Sequence, residues 1–298
     1  MTVLSLTDGG LETSLIFHQG IDLPLFAAFP LALDDDGRSA LRAYWEPYLA
    51  LARDRGVPFV VDTATWRASP DWVSRLGHAE GFVDEANEAA AGLAWELASG
   101  VEEASVNGVV GPRGDGYVVD QVMTAEQSAD YHSSQITALS RAGVDRVTAV
   151  TLTYPEEAVG FVEAAKAVGV PAVVSFTVET DGRLPSGSAL KDAVELVDEA
   201  TGAAPAGYMV NCAHPSHFET SLPEGKWLSR ITGVRANASR MSHAQLDAAE
   251  ELDAGDPDDL AVRYRDLMRR LPALSLVGGC CGTDHRHIRA ISEACLER

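Results

Sequence analysis

A chain of 298 residues carries 44 acidic against 23 basic side chains, a formal charge of −21, with 46% hydrophobic and 22% charged residues. That length and apolar content suffice for one large α/β domain with its own core, while a field of that sign repels nucleic acid and anionic membrane. No apolar run reaches the length of a membrane-spanning helix, Met1-Thr2-Val3-Leu4 has neither the basic nor the apolar segment of a secretory signal, and four cysteines without one fit a reducing cytoplasm, where metal binding or catalysis is favoured over disulfides.

Short apolar, β-branched runs follow one another along the chain, at Val3–Thr7, Val57–Thr65, Val106–Gly111, Arg146–Leu152, Pro171–Val178, Gly207–Cys212, Ile231–Ala236 and Leu274–Gly279. Between most of them lies a longer stretch of helical period, at Ser39–Arg55, His78–Ser99, Ala125–Ala142, Glu156–Val168, Ala189–Thr201, His243–Leu271 and His285–Leu296. Strands alternating with helices of this length imply a parallel sheet, and this many units in a chain of this size fit a closed (β/α)8 TIM barrel. A doubly wound open sheet is the alternative, but no Gly-x-Gly-x-x-Gly follows an early strand. No linker composition divides the chain, so residues 1–298 are expected to form a single domain, with the polar stretches Thr180–Ser188 and Asp253–Asp259 as insertions on it.

A barrel of this kind keeps its chemistry at the C-terminal ends of its strands. The unusual motifs fall there: Asp8-Gly9-Gly10 after the first strand, Asp62-Thr63 at the second, Gly111-Pro112 at the third, Ser175-Phe176-Thr177 at the fifth, Asn211-Cys212 at the sixth and Gly279-Cys280-Cys281 at the eighth. Cys212, Cys280 and Cys281 could together hold one zinc ion and leave its fourth position open, the arrangement of a catalytic site. An extended chain would point Cys280 and Cys281 apart. A turn at Gly279 or Gly282, where glycine tolerates positive φ, could bring both thiols onto one ion. Three thiolates suit zinc poorly for making hydroxide and well for holding one more soft ligand, so a substrate thiol kept as thiolate would be the nucleophile. That chemistry is alkyl transfer to sulfur. The blander reading of Cys280-Cys281 is buried filler or a strained vicinal disulfide. His214 and His217 follow Cys212 and compete as ligands, Cys295 on the last helix reads as a structural thiol, and His285 and His287 read as capping or surface groups.

The chain resembles the homocysteine S-methyltransferase family of zinc-dependent (β/α)8 barrels over nearly its whole length. The resemblance is carried by Asp8-Gly9-Gly10-Leu11-Glu12-Thr13, Asp62-Thr63-Ala64-Thr65 with Ala68-Ser69, Gly108–Pro112, Ala142-Gly143-Val144-Asp145, Val174-Ser175-Phe176-Thr177 with Asp181-Gly182, Val210-Asn211-Cys212, and Gly278-Gly279-Cys280-Cys281-Gly282-Thr283 running into His287-Ile288-Arg289-Ala290-Ile291. The last two motifs are the specific ones. The resemblance implies zinc on Cys212, Cys280 and Cys281, homocysteine as thiol acceptor, a sulfonium or ammonium methyl donor, and methionine as product. It further implies Asp8, Gly9 and Gly10 at the amino-acid end of the acceptor, substrate contacts at Thr63 and Ser175, and Asn211 orienting the loop that carries Cys212.

One departure bears on the acceptor. Members of the family usually carry a glutamate after the fourth strand that binds the acceptor's ammonium; here Val150 or Thr151 occupies that place. Either another acid neutralises the ammonium, with Asp8, Glu12 and Asp62 as candidates, or the acceptor is a different thiol or a selenol. The loop Arg235–Arg240 also departs from the family's version, and its two arginines read either as an anion site or as surface charges. For a cationic donor, Trp45, Trp66, Trp72 and Tyr154 offer aromatic faces. The barrel is expected to take up the chain without a cobalamin or folate module, which favours a free donor such as S-methylmethionine or S-adenosylmethionine. The partners expected are therefore small molecules, with no nucleic acid and no membrane, and self-association into a homo-oligomer is left open. A zinc hydrolase using His214 or His217, and a non-catalytic barrel with a structural zinc, are the competing readings from other classes.

Overall fold

A computed structural model describes residues 3–79, 81–119 and 121–296. All of the expected strands form: β1 Ser5–Leu6, β2 Phe59–Asp62, β3 Ala104–Val110, β4 Arg146–Leu152, β5 Ala172–Phe176, β6 Gly207–Asn211, β7 Ile231–Ala236 and β8 Leu276–Gly279. They pair in parallel in sequence order, and β8 returns to β1 to close the barrel. The helices, in chain order, are α1 Leu11–Phe17, α2 Asp35–Arg55, α3 Pro70–Arg75, α4 Phe82–Ala98, α5 Ala125–Arg141, α6 Pro155–Val168, α7 Leu190–Thr201, α8 Pro215–Phe218, α9 His243–Asp247, α10 Pro257–Arg270 and α11 His285–Leu296.

The strands are buried on both faces, so their two-residue alternation sorts side chains between helix layer and lumen. On β2, Phe59 and Val61 join the main core beneath the helices, while Val60 belongs to a separate cluster with Val173, Met209 and Leu276. On β6, Tyr208 and Val210 likewise join the main core and Met209 fills the lumen. The next inward positions toward the C-terminal ends are polar: Asp62, Ser175, Asn211 and Arg235. Apolar side chains thus close the floor of the lumen, and polar ones stand at its open end.

The stretch His243–Leu271, expected as one helix, is broken. α9 ends at Asp247, and α10 begins after Asp256, whose side chain caps the amides of Asp258 and Asp259 ahead of Pro257. The intervening segment holds residues of the barrel mouth, among them Leu252 and Asp253. Among the described residues no helix is long and apolar enough to cross a membrane.

Candidate active site

The three cysteines converge. The Sγ atoms of Cys212, Cys280 and Cys281 lie within 4.8 Å of one another, with Cys212 and Cys281 3.9 Å apart. Cys212 leaves β6 in a left-handed conformation, φ 54°. Its carbonyl accepts hydrogen bonds from His243 Nε2 at 2.8 Å and Asn237 Nδ2 at 3.0 Å. Cys280 continues the ladder of β8 by donating its amide to Ala236 O, and Gly282, at φ 79°, then turns the chain back so that Thr283 N meets Cys280 O. The turn is at Gly282 and not at Gly279. Gly10 packs against this loop so closely that a Cβ there would lie 2.6 Å from Cys280 O.

All four cysteines are free thiols, so there is no vicinal disulfide. In the cluster, hydrogen bonds from Cys212 and Cys281 pull the Cys280 thiol well below its ordinary pKa, against the burial that opposes it, and Arg235 adds to the effect. Cys212 and Cys281 are pushed up by the same mutual contacts and by burial. Cys295 lies apart on α11, buried, with its pKa raised to about 12 by desolvation. The histidines stay out of the cluster: His214 bonds Ser216 at the start of α8, and His217 Nε2 meets Arg240 O at 3.0 Å. His287, expected as a capping or surface group, is fully buried and caps the start of α11, its Nδ1 3.1 Å from the Asp284 amide and its Nε2 donating to Ala254 O at 2.8 Å.

The cysteines face a cavity of about 480 Å³ at the C-terminal mouth of the barrel. Asp8, Gly9, Gly10, Thr63, Val150 and Asn211 line it. Ser175 does not. It is fully buried, and its hydroxyl donates to Asn211 Oδ1 at 2.6 Å. Asn211 also accepts from the Thr151 amide and donates to the Thr151 hydroxyl. Its side chain therefore clamps the bulge of β4, where Thr151 takes φ 64°, while the Cys212 loop is held by Asn237 and His243 instead. Thr63 is similarly occupied, since its hydroxyl accepts from the Val109 amide and meets the Thr65 hydroxyl. Of the four aromatics considered for a donor cation, Trp45 and Trp66 reach the cavity wall, together with Phe17, Phe26 and Tyr117.

Arg235 is neither a surface charge nor free for an anion. Its guanidinium, on β7, pairs with Asp8 and Asp62 and bonds the carbonyls of Gly9 and Gly279. Asp8 is further held by the hydroxyls of Tyr44 and Thr7, and Asp62 by Asn107 Nδ2. Burying these charges is tolerable only because each is paired. Arg240, by contrast, is exposed and pairs with Asp259.

Two further wall residues carry no motif in the sequence. Tyr117, in the loop before α5, brings its hydroxyl to 3.7 Å from both Cys212 Sγ and Cys281 Sγ, and its ring stacks on His243 at 4.0 Å between centroids. Arg67 lays its guanidinium over the Trp72 ring at 3.6 Å and the Trp66 ring at 4.5 Å.

A model of the family described as homocysteine S-methyltransferase matches residues 5–295. The chain belongs to the homocysteine S-methyltransferase family. Among relatives of this family, homocysteine S-methyltransferase 1 of Arabidopsis thaliana is 24% identical over 315 residues, covering 97% of this chain and 92% of the plant protein. Betaine–homocysteine S-methyltransferase 1 of Rattus norvegicus is 31% identical over 255 residues, which is 78% of this chain and 60% of the rat protein. Among solved structures, the homocysteine methyltransferase MmuM from Escherichia coli in its oxidised form shares the fold, with a TM-score of 0.74, 21% identity, and coverage of 97% of this chain and 95% of that one. The chain is a methyltransferase built on a (β/α)8 barrel.

Proposed function

We propose that this chain is a zinc-dependent S-methyltransferase that moves a methyl group from a sulfonium or ammonium donor, with S-methylmethionine or S-adenosylmethionine favoured, to the thiol of homocysteine. The product is methionine. The observation that carries the reading is the convergence of three thiols at the wall of the barrel-mouth cavity in a chain of this family. A tetrahedral site with Zn–S bonds of about 2.3 Å has its sulfurs roughly 3.8 Å apart, and Cys212 and Cys281 stand at 3.9 Å. The donor set is soft and holds no fourth Cys, His, Asp or Glu among the described residues. That fits a catalytic ion better than a structural one, and it leaves the hydrolase reading without a histidine ligand. When bound there, zinc would supply the Lewis acidity that keeps an acceptor thiol deprotonated near neutral pH.

The residues of the chain do the rest. Cys212, Cys280 and Cys281 would hold the ion, with His243 and Asn237 fixing the Cys212 loop. Aromatic faces at Trp66, Phe26 and Tyr117, with the carboxylates of Asp115 and Asp247 at the same mouth, suit a donor cation. In the transfer the acceptor sulfur forms its bond to the methyl carbon as the electron pair of the old bond leaves with the donor heteroatom, which becomes neutral. The four free thiols agree with a reducing cytoplasm, and we take residues 1–298 as one domain.

Calorimetric titration of homocysteine into the zinc-loaded protein, in buffers of different ionisation enthalpy, tests this reading. Stoichiometric binding with proton release, lost in Cys281→Ser, is expected. A folded, metal-replete protein that ignores homocysteine would turn the search to another thiol or a selenol.

A further inference from the structure

Among the acids considered as partners for the acceptor's ammonium, only Glu12 is free. Asp8 and Asp62 are both taken by Arg235. Glu12 stands in the first turn of α1, lines the cavity, and has no ion-pair partner among the described residues. Its neighbours in sequence touch the cysteine loop, since Thr13 Oγ1 accepts from the Gly282 amide and Gly10 packs on the Cys280 carbonyl; burial raises its pKa to about 7, and the charges of Cys280 and Asp8 add to that. A carboxylate in such a place is costly unless something positive meets it.

The same cavity contains a matching cation. Arg67 lines the wall with no carboxylate within ion-pairing distance among the described residues. Its Nε is buried without a hydrogen-bond partner. The Trp66 and Trp72 rings flank its guanidinium, which lines the cavity. Buried polar groups are nearly always bonded, so an orphan of this kind needs an explanation. Burial lowers the Arg67 pKa, and the charges of Asp115 and then Glu12 counter the effect, although neither carboxylate pairs with it. Two opposite charges line one cavity, neither with an ion-pair partner among the described residues, and together they suit a zwitterion.

We propose that Glu12 and Arg67 together bind the α-amino-acid head of the acceptor, Glu12 taking the ammonium and Arg67 the carboxylate. The inference rests on the homocysteine reading above and explains how this chain does without an acid at Val150. Recognition of the head moves from the β4 wall to the wall built by the segments after β1 and β2, while the sulfur end still points to the cysteines. A planar guanidinium held by aromatic faces suits a carboxylate bidentately.

The test is calorimetric binding of three thiols to the zinc-loaded protein without donor: homocysteine, mercaptobutyrate, which lacks the amine, and mercaptopropylamine, which lacks the carboxylate. The wild type should prefer homocysteine to both. Glu12→Gln should weaken homocysteine by about ten- to a hundredfold, the worth of a charged hydrogen bond, and leave mercaptobutyrate unchanged. Arg67→Gln should do the converse, sparing mercaptopropylamine, and Arg67→Lys should restore part of the loss. Variants that weaken all three thiols alike have lost structure, not recognition, and that overturns the proposal. So does unchanged thiol selectivity with a raised KM for the donor, which would assign the pair to the donor's head. A wild type that binds no homocysteine sinks the functional reading itself, and with it this one.

Discussion

At the scale of single residues, buried charge is what organises this barrel mouth. Arg235 gathers Asp8 and Asp62; Asp284, at the start of α11, gathers Arg286 and His287. Burial alone would raise the pKa of Asp284, but hydrogen bonds from His287 and Arg286 outweigh it and hold the carboxyl far below its usual range. A depressed acid stabilises the fold above the unfolded carboxylate's pKa, and the contribution is lost as pH falls through the folded value. Asp284→Asn keeps the cap and removes the charge. It should cost roughly 1–2 kcal/mol in urea unfolding at neutral pH, and the gap from wild type should shrink steadily below about pH 4. A gap that stays constant with pH would mean the charge is not what holds the start of α11. The thiols were legible in the sequence because Cys-Cys between glycines has few other uses. Arg67 and Tyr117 were not, because nothing in their local sequence marks them: their importance depends on which walls the fold brings together. Arg235 gave a partial signal, a charge at an inward position of a strand, without saying which acids would meet it.

At the scale of elements, the segments after the strands determine how firmly the thiols are held. α9 brings Leu246 and Asp247 to the cavity and His243 to the thiol loop, and His243 does two jobs. His243 donates to the Cys212 carbonyl and stacks on Tyr117. His243→Ala should leave the barrel folded and weaken zinc retention by about ten- to a hundredfold, as loss of a group that orients a ligand commonly does. Competition with a chromophoric chelator reads this directly, and unaltered retention would show that Asn237 suffices. The strands were readable from their β-branched runs, and most helices from their period. His243–Leu271 was misread for a physical reason. Ala248, Ala249, Glu250 and Glu251 have helical composition, yet Gly255 at φ 53° and the Asp256-Pro257 cap force a new start. Pro257 and the acidic stretch around it were visible in the sequence, and weighting them above composition would have placed the break.

At the scale of the whole molecule, a charge of −21 surrounds a mouth that carries Asp115, Asp247, Glu251 and Asp253. Such a field raises the encounter rate of a cation and is screened by salt. With a sulfonium donor, kcat/KM should fall as ionic strength rises from 0.01 to 0.15 M, where the Debye length shortens from about 30 to about 8 Å, while kcat stays level. A flat response would mean that the acidic surface takes no part in donor capture.

The arginine on β7 also bears on how the barrel is assembled. β1 is only Ser5–Leu6, and its pairing with β8 joins opposite ends of the sequence. Contacts of that separation carry the greatest loop-closure cost and form late in folding. Arg235 reaches across this seam, from its own strand to the Gly279 carbonyl at the end of β8, to Asp8 beyond β1 and to Asp62 on β2. One side chain thus laces the last strands to the first, and it does so beside Cys280. The pocket therefore depends on the closed ring: the glycine pair after β1 and the thiol loop after β8 share a wall only where the first and last strands are joined.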